Sequence, residues 1–320
     1  MSTQPSAFAT EEGFDVIGDV HGYAGELEAL LHQMGWALEG DVWTHPCRRA
    51  IFVGDLIDRG PRQLDSVMIA KRMVDAGRAM IVAGNHEFNA AAFHTPNPTE
   101  PSTFLRSHSD KHVHQHRAFL DQVPPGAERD AIIDWFMDLP LWLEVDGLRV
   151  VHACWDGHAI DLLRSEVGEN NSLTAQLLVS ATRKQTPQWQ AIEHLLKGPE
   201  VPIDPPYLDK DGHRRDRARF QWWLPNADVL SIGALIPSNT KTVDRQPYPT
   251  LANVAIDPPV QPYTHRTPVV FGHYWRSGAP TIQSASTVCV DYSAGKGGPL
   301  VAYQWSGEAE LTSERLVASR

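Results

Sequence analysis

Cysteine is scarce in this 320-residue chain: Cys47, Cys154 and Cys289 are the only three, each more than a hundred residues from the next. An odd and scattered set excludes a disulfide framework and CxxC-type zinc spacing, so each reads as a small buried hydrophobe. No stretch approaches the roughly 18 consecutive apolar residues of a membrane span. Met1 to Glu12 has neither the cationic start nor the apolar centre of a secretory signal. The expectation is a cytoplasmic protein with no membrane partner. Positive charge is also in deficit, with 28 Lys and Arg against 39 Asp and Glu and a net charge of -11. A generally acidic surface repels polyanions, which disfavours bulk nucleic-acid binding.

What is present is an ordinary globular composition, 42% hydrophobic and 21% charged, able to bury a real core. At about 150 residues per domain, the length allows two domains or one enlarged catalytic domain. The number that stands out is 15 histidines, because imidazole is both the commonest metal ligand and the usual proton carrier near neutral pH.

Short apolar runs alternate with helical patterns, the signature of an α/β fold. Phe14 to Ile17 reads as a strand entering Gly18-Asp19-Val20-His21-Gly22, followed by a helix over Ala24 to Met34 with Gly35 as its stop. Ala50 to Val53 is a second strand, entering Gly54-Asp55-Leu56-Ile57-Asp58-Arg59-Gly60, with a helix from Pro61 to about Ala76. Ala79 to Val82 delivers Ala83-Gly84-Asn85-His86-Glu87. Leu141 to Val145 and Leu148 to Val151 predict a hairpin about Asp146-Gly147 that ends at His152, and Val269 to Phe271 runs into Gly272-His273. Thr287 to Val290 and Leu300 to Gln304 read as a closing antiparallel pair joined by the glycine-rich turn Ala294 to Gly298, which lacks phosphate-loop spacing. A further helix is expected over Gln188 to Leu196.

Open α/β sheets form their sites beyond the carboxyl ends of strands, so the strand-end residues are aimed at one place. Those residues are Asp19, His21, Asp55, Asn85, His152 and His273. Two carboxylates, an amide oxygen and three imidazoles exceed the needs of one metal. They suit two divalent transition ions, with one carboxylate bridging and a position left for water. Any one block alone could be a polar turn closing a strand. Five in order are far more specific, and the chemistry they indicate is phosphoester hydrolysis.

With these blocks the sequence resembles the calcineurin-like metallophosphoesterases, and within them the phosphoprotein-phosphatase branch that includes bacterial diadenosine tetraphosphate hydrolases. The resemblance is carried by Gly18 to Gly22, Gly54 to Gly60, Gly84 to Glu87, Val151-His152-Ala153 and Gly272-His273. It covers roughly half of the chain by the density of such matches. It implies a four-layer sandwich flanked by helices, one catalytic domain over residues 1–320. It implies that Asp19 and His21 hold one metal, that Asn85, His152 and His273 hold the other, and that Asp55 bridges them. Manganese is the first expectation, with iron, zinc or magnesium as the other options. A metal-bound hydroxide would attack phosphorus, His86 would protonate the leaving oxygen under the orientation of Asp58, and Arg59 would bind phosphate oxygens.

The expected substrate is a phosphomonoester or phosphoprotein, with symmetrical dinucleoside tetraphosphate hydrolysis as the alternative and a non-catalytic metal-binding scaffold as the second. Arg215 and Arg276 are the further substrate-binding candidates; for the branch's second phosphate-binding arginine, Arg183, Arg215 and Arg266 are open.

Residues 93–126 and 168–267 interrupt the regular pattern and read as insertions, as lid or specificity segments without a core of their own. In the first, His108, His112, His114 and His116 are read as a solvated cluster rather than an accessory metal site, since alternating histidines need a rigid strand and no strand signal is present. In the second, Asp211 to Trp223 as a strand puts Arg215, Arg217 and Arg219 on one face and Ala218, Phe220 and Trp222 on the other. An exposed cationic face is the preferred reading there, and a wall receiving substrate phosphates is the alternative. Two departures from the family's pattern, Cys154-Trp155-Asp156 after His152 and Tyr274-Trp275 after His273, are expected to border the cleft.

Overall fold

The computed structural model describes residues 13–209, 212–237, 239–257 and 259–319. Met1 to Glu12, read above for a leader, and Asp211 lie outside the described residues.

The chain opens with β1 (Gly13–Ile17), α1 (Ala24–Gln33), the small hairpin β2 (Ala37–Glu39) and β3 (Val42–Thr44), then β4 (Arg48–Phe52), α2 (Gln63–Asp75) and β5 (Ala79–Ile81). Helices α3 (Asn85–His94), α4 (Asp110–Gln115), α5 (Arg117–Gln122) and α6 (Ala127–Asp138) lead to the hairpin β6 (Trp142–Val145) and β7 (Leu148–Val151). Next come α7 (Gly157–Leu163), α8 (Ala175–Ala181), α9 (Pro187–Lys197), β8 (Glu200–Leu208), β9 (Arg214–Phe220), the single turn α10 (Leu230–Gly233), β10 (Ala234–Leu235) and β11 (Lys241–Thr242). The chain closes with β12 (Val269–Phe271), β13 (Thr287–Cys289), β14 (Val301–Trp305) and β15 (Leu316–Ala318).

Two sheets form the sandwich, one in the order β15-β14-β1-β4-β5 and the other β13-β12-β7-β6. Side-chain alternation along the strands fills the space between them and leaves the opposite residues for helices. Phe14, Val16, Ile51, Val53, Leu148, Val150, Val270, Val288 and Tyr303 meet in one inter-sheet core. Their strand neighbours Ile17, Phe52, Ile81, Val151 and Phe271 join a larger core with Leu27, Leu30 and Met73 of α1 and α2 and with Ile160, Leu178 and Leu195 of α7, α8 and α9. The expected four-layer α/β arrangement is therefore found, with helices on both outer faces.

Strands β1, β4 and β5 are mutually parallel, as are β7, β12 and β13. Their carboxyl ends therefore deliver the loops that bear Asp19, Asp55, Asn85, His152 and His273.

One expected pairing is overturned. Thr287 to Val290 and Leu300 to Gln304 do not form a hairpin: β13 pairs parallel with β12 in one sheet, while β14 pairs antiparallel with β1 in the other. The glycine-rich segment between them carries the chain across the sandwich.

The segment 168–267 contributes α8, α9 and a third sheet in the order β10-β9-β8-β11. Its aromatic residues are driven into the common core: Trp223 stacks on Phe271 at 5.3 Å, and Trp222 donates to the Ala153 carbonyl at 3.0 Å. Among the described residues no helix is long and apolar enough to cross a membrane.

Candidate active site

The loops at the strand ends are held in unusual backbone conformations. His21, Asp55, Asp58, Arg59 and His273 all have positive φ, between 49° and 78°. Residues with side chains pay strain for this region and occupy it only where the surroundings dictate it. Glycine is needed where these loops converge. A Cβ on Gly272 would lie 2.1 Å from Asp19 Oδ1, and one on Gly84 would lie 2.3 Å from Asp55 Oδ1. Glu87 then clamps two of the loops, since its carboxylate accepts the N–H groups of Asp55 and Leu56 at 2.8 Å and of Gly84 at 2.9 Å.

Asp19, His21, Asp55, Asn85, His152 and His273 are all buried and come together. Two tight donor groups occur among the described residues, His21 with Asp55 and His86, and Asp55 with His152 and His273. They share Asp55. Its Oδ2 lies 3.7 Å from His21 Nε2 and 3.5 Å from His152 Nε2, while His152 Nε2 is 3.2 Å from the Asn85 amide oxygen. The Nδ1 atoms of His21 and His152 face the carbonyls of Ile57 and Val53 at 3.0 and 2.7 Å, which orients Nε2 of each ring inward. Asp19 sits just outside both groups and accepts the His273 N–H at 3.1 Å.

Charges in this pocket are unbalanced. Burial, reinforced by Asp291 and Asp55, pushes the Asp19 carboxyl well above its usual range. Burial together with His86 takes His21 down to about 3, and burial with Arg219 and His152 drives His273 well below the usual imidazole range. Nε2 of both His21 and His273 is buried without a hydrogen-bond partner. Orphaned neutral imidazole nitrogens facing crowded buried carboxylates are what a divalent cation requires. The residues present therefore fit divalent metal ions.

His86 stands at the edge of this set, its Nδ1 2.5 Å from Asp58 Oδ2 and its backbone N–H donating to Asp55 Oδ1 at 2.9 Å. Burial opposes protonation of His86, but Asp55 and Asp58 outweigh it and raise its pKa. Asp58 is held down to about 2, because hydrogen bonds from His116 and His86 overcome the penalty of burial.

Asp58, Arg59, Asn85, His86 and His273 open into a cleft of about 2200 Å³ walled by residues of the segments 93–126 and 168–267. Twelve Lys and Arg side chains line it against five Asp and Glu, an inversion of the charge of the chain as a whole. Arg215 and Arg276 lie in this lining, as do Arg217 and Arg219, whereas Arg183 and Arg266 do not. The strand reading of Arg214 to Phe220 is matched by β9, with Ala218 and Phe220 buried. Arg215, Arg217 and Arg219 line the cleft, and Arg215 and Arg217 are also half exposed, as a cationic face requires. Arg215 is paired with Asp209 at 2.9 Å.

The structure corrects two other expectations. The cluster His108 to His116 is not uniformly solvated: His108 stacks on Phe93 at 3.9 Å and on Phe104 at 4.1 Å, and His116 is buried with Nδ1 2.8 Å from Asp58 Oδ1. Of the two departures, only Tyr274-Trp275 lines the cleft. Cys154 and Trp155 are in the apolar core, and Asp156 caps α7 by accepting the N–H groups of His158 and Ala159. Sequence reasoning also missed Arg106, Lys197 and Lys296 as cleft residues. Three cations gather around the Trp275 indole, Lys296 at 3.4 Å, Arg219 at 4.7 Å and Arg59 at 5.4 Å from its centroid.

Comparison with known proteins identifies relatives and a family. An asymmetrical bis(5'-nucleosyl)-tetraphosphatase PrpE from a Geobacillus strain is 32% identical over 162 residues, covering 49% of this chain and 60% of the relative. A symmetrical bis(5'-nucleosyl)-tetraphosphatase of Vibrio cholerae is 31% identical over 139 residues, 43% of either chain. The chain thus spans less than two thirds of the length of these relatives. Among solved structures, a protein serine/threonine phosphatase from Saccharomyces cerevisiae aligns over 95% of this chain and 78% of its own at 14% identity, with a TM-score of 0.46. The family model for calcineurin-like phosphoesterases matches residues 14–223. That match covers well over half of the chain, and the chain belongs to the calcineurin-like phosphoesterase family.

Proposed function

We propose that this chain is a metal-dependent phosphoric ester hydrolase acting on an extended, multiply charged substrate, a dinucleoside polyphosphate ahead of a phosphomonoester or phosphoprotein. The observation that carries the reading is the buried donor set at the foot of a cleft lined by twelve cationic side chains. A monoester presents about two charges, far fewer than this lining is suited to neutralise. That surplus reverses the order of substrates expected from sequence. The names of the curated relatives support the same direction.

In this reading Asp19 and His21 hold one divalent ion, Asn85, His152 and His273 hold the second, and Asp55 serves both. Manganese is the first candidate and iron, zinc and magnesium are the others, because a mixed set of imidazole and oxygen donors accepts all four. Bound ions supply Lewis acidity toward phosphoryl oxygens and lower the pKa of water. Asp58 keeps a proton on His86 Nδ1, so that the opposite ring nitrogen can give its own proton to the leaving oxygen. Arg59, exposed at the cleft, offers a planar fork to phosphate oxygens, and Arg215 and Arg276 extend the cationic lining outward. The segments 93–126 and 168–267 act as specificity walls of one catalytic domain.

The test is a substrate panel on chelated protein reconstituted separately with manganese, iron, zinc or magnesium. The expected outcome is a higher kcat/KM for a dinucleoside tetraphosphate than for a phosphomonoester or phosphopeptide, falling as salt screens the cleft. Equal or better use of the monoester would sink the substrate assignment, and metal binding without turnover on any of them would leave a scaffold.

A further inference from the structure

Asp58 is a carboxylate shared between two imidazoles. Oδ2 lies 2.5 Å from His86 Nδ1, and Oδ1 lies 2.8 Å from Nδ1 of His116, a residue 58 positions away in the insertion 93–126. His116 is buried and its ring is fixed on several sides. Phe119 stacks on it at 4.8 Å with an interplanar angle of 20°, Phe93 meets it edge-on at 5.4 Å, and His94 lies 5.7 Å away. Its Nε2 is buried without a hydrogen-bond partner, so the hydrogen-bonding end of the ring is the one directed at Asp58.

A second tie joins the same elements. Gln122, at the end of α5, accepts the Gln63 N–H at 2.8 Å, and Gln63 Oε1 in turn accepts the Asp58 N–H. The side chain and the backbone of Asp58 are therefore both connected to α5 and to the residue just before it.

We propose that His116 is a positioning residue for proton delivery: by occupying the second carboxylate oxygen it fixes the rotation of Asp58 and hence the ring of His86, so that acid catalysis depends on the seating of 93–126. The inference rests on the reading of His86 as the proton donor. The physical argument is that a carboxylate bonded at one oxygen can swing about its terminal torsion, whereas one bonded at both oxygens by buried, packed rings cannot. Outer partners of this kind commonly change activity 10- to 100-fold when removed, roughly. The hydrogen bond and ring contacts of His116 go to Asp58, Phe93, His94 and Phe119, outside the proposed ligand set, so its loss should leave the metals in place.

The test compares two phosphate esters of unequal leaving group, 4-nitrophenyl phosphate and an alkyl phosphate, in the metal-loaded protein. A good leaving group needs little protonation, so loss of acid catalysis falls on the alkyl ester. The His116→Ala variant should lose about 10- to 100-fold in kcat on the alkyl ester with much less loss on the nitrophenyl ester, with KM and metal content retained. His116→Asn, which keeps a hydrogen-bond donor, should recover part of the loss and covers the case in which the alanine variant does not fold. In a His86→Asn background, removing His116 should cost nothing further. An equal loss on both esters, or full additivity with His86→Asn, overturns the inference while leaving the acid assignment intact. A His86→Asn variant with no leaving-group dependence overturns the acid assignment, and the inference with it.

Discussion

Arg219 of β9 rests its guanidinium 4.7 Å from the centroid of the Trp275 indole while donating from Nη1 to the His273 carbonyl at 2.8 Å. A wall contributed by the segment 168–267 is thereby fastened to the backbone of a proposed metal ligand. Because Arg59 and Lys296 approach the same ring, one exposed aromatic side chain orders cations from three separate segments.

Trp275→Ala should therefore act on binding. Each cation over an exposed indole is stabilised by about 0.5–1 kcal/mol, so KM for an extended polyphosphate should rise by about tenfold with kcat little changed. Steady-state kinetics on a dinucleoside tetraphosphate check this, and an unmoved KM would show that the indole does not order the cations for substrate.

Asp55 belongs to both donor groups, so no other single ligand should matter as much. Asp55→Asn removes a shared charge from the centre of the site. Metal content by emission spectroscopy should fall for both ions, and kcat/KM should drop by at least about 100-fold. His152→Ala should strip the second ion preferentially. Folded Asp55→Asn protein with full turnover would refute the ligand assignment.

Glu87 makes a prediction about stability. Its carboxylate satisfies three buried N–H groups, those of Asp55, Leu56 and Gly84. Glu87→Ala orphans all three, at about 1–3 kcal/mol each. The expected loss is about 3 kcal/mol or more in denaturant unfolding, together with weaker metal retention because the loops after β4 and β5 lose their clamp.

Asp156 should give a pH signature of its own. Burial disfavours its charged form, but a 2.7 Å contact with His194 and two helix-capping N–H bonds prevail and lower its pKa. A carboxylate whose folded pKa lies below its unfolded value stabilises the fold above the unfolded value, and that contribution disappears as pH falls through the folded one. Asp156→Ala should cost about 1–2 kcal/mol near neutrality. Melting temperatures of the variant and the parent should converge below the ordinary carboxylate range.

The strand-end blocks were legible because each is local: an apolar run, a glycine and an ionisable residue within a few positions. Thr287 to Val290 and Leu300 to Gln304 were misjoined because pairing is not local. A glycine-rich turn between two apolar runs suggests a hairpin, but β14 finds its partner in β1 near the other end of the chain. His116 was hidden for another reason. Its polar neighbours suggest solvent, yet His116, Phe119 and Val123 are all buried and recur at helical spacing. That stripe was the available signal. The cationic lining of the cleft could not be read from a net charge of -11, because charge sums over the surface while folding sorts it.

The register of β1 has a consequence for how the molecule is made. Phe14 pairs with Trp305 and Ile17 with Ala302, so the strand that presents Asp19 is flanked on one side by residues more than 280 positions downstream. A nascent chain can form the β1-β4-β5 ladder early, but β1 remains an open edge until β14 leaves the ribosome. Such distant pairing slows folding and exposes an unpaired strand in the interval. The loop that bears Asp19 is therefore completed only after β14 has been made.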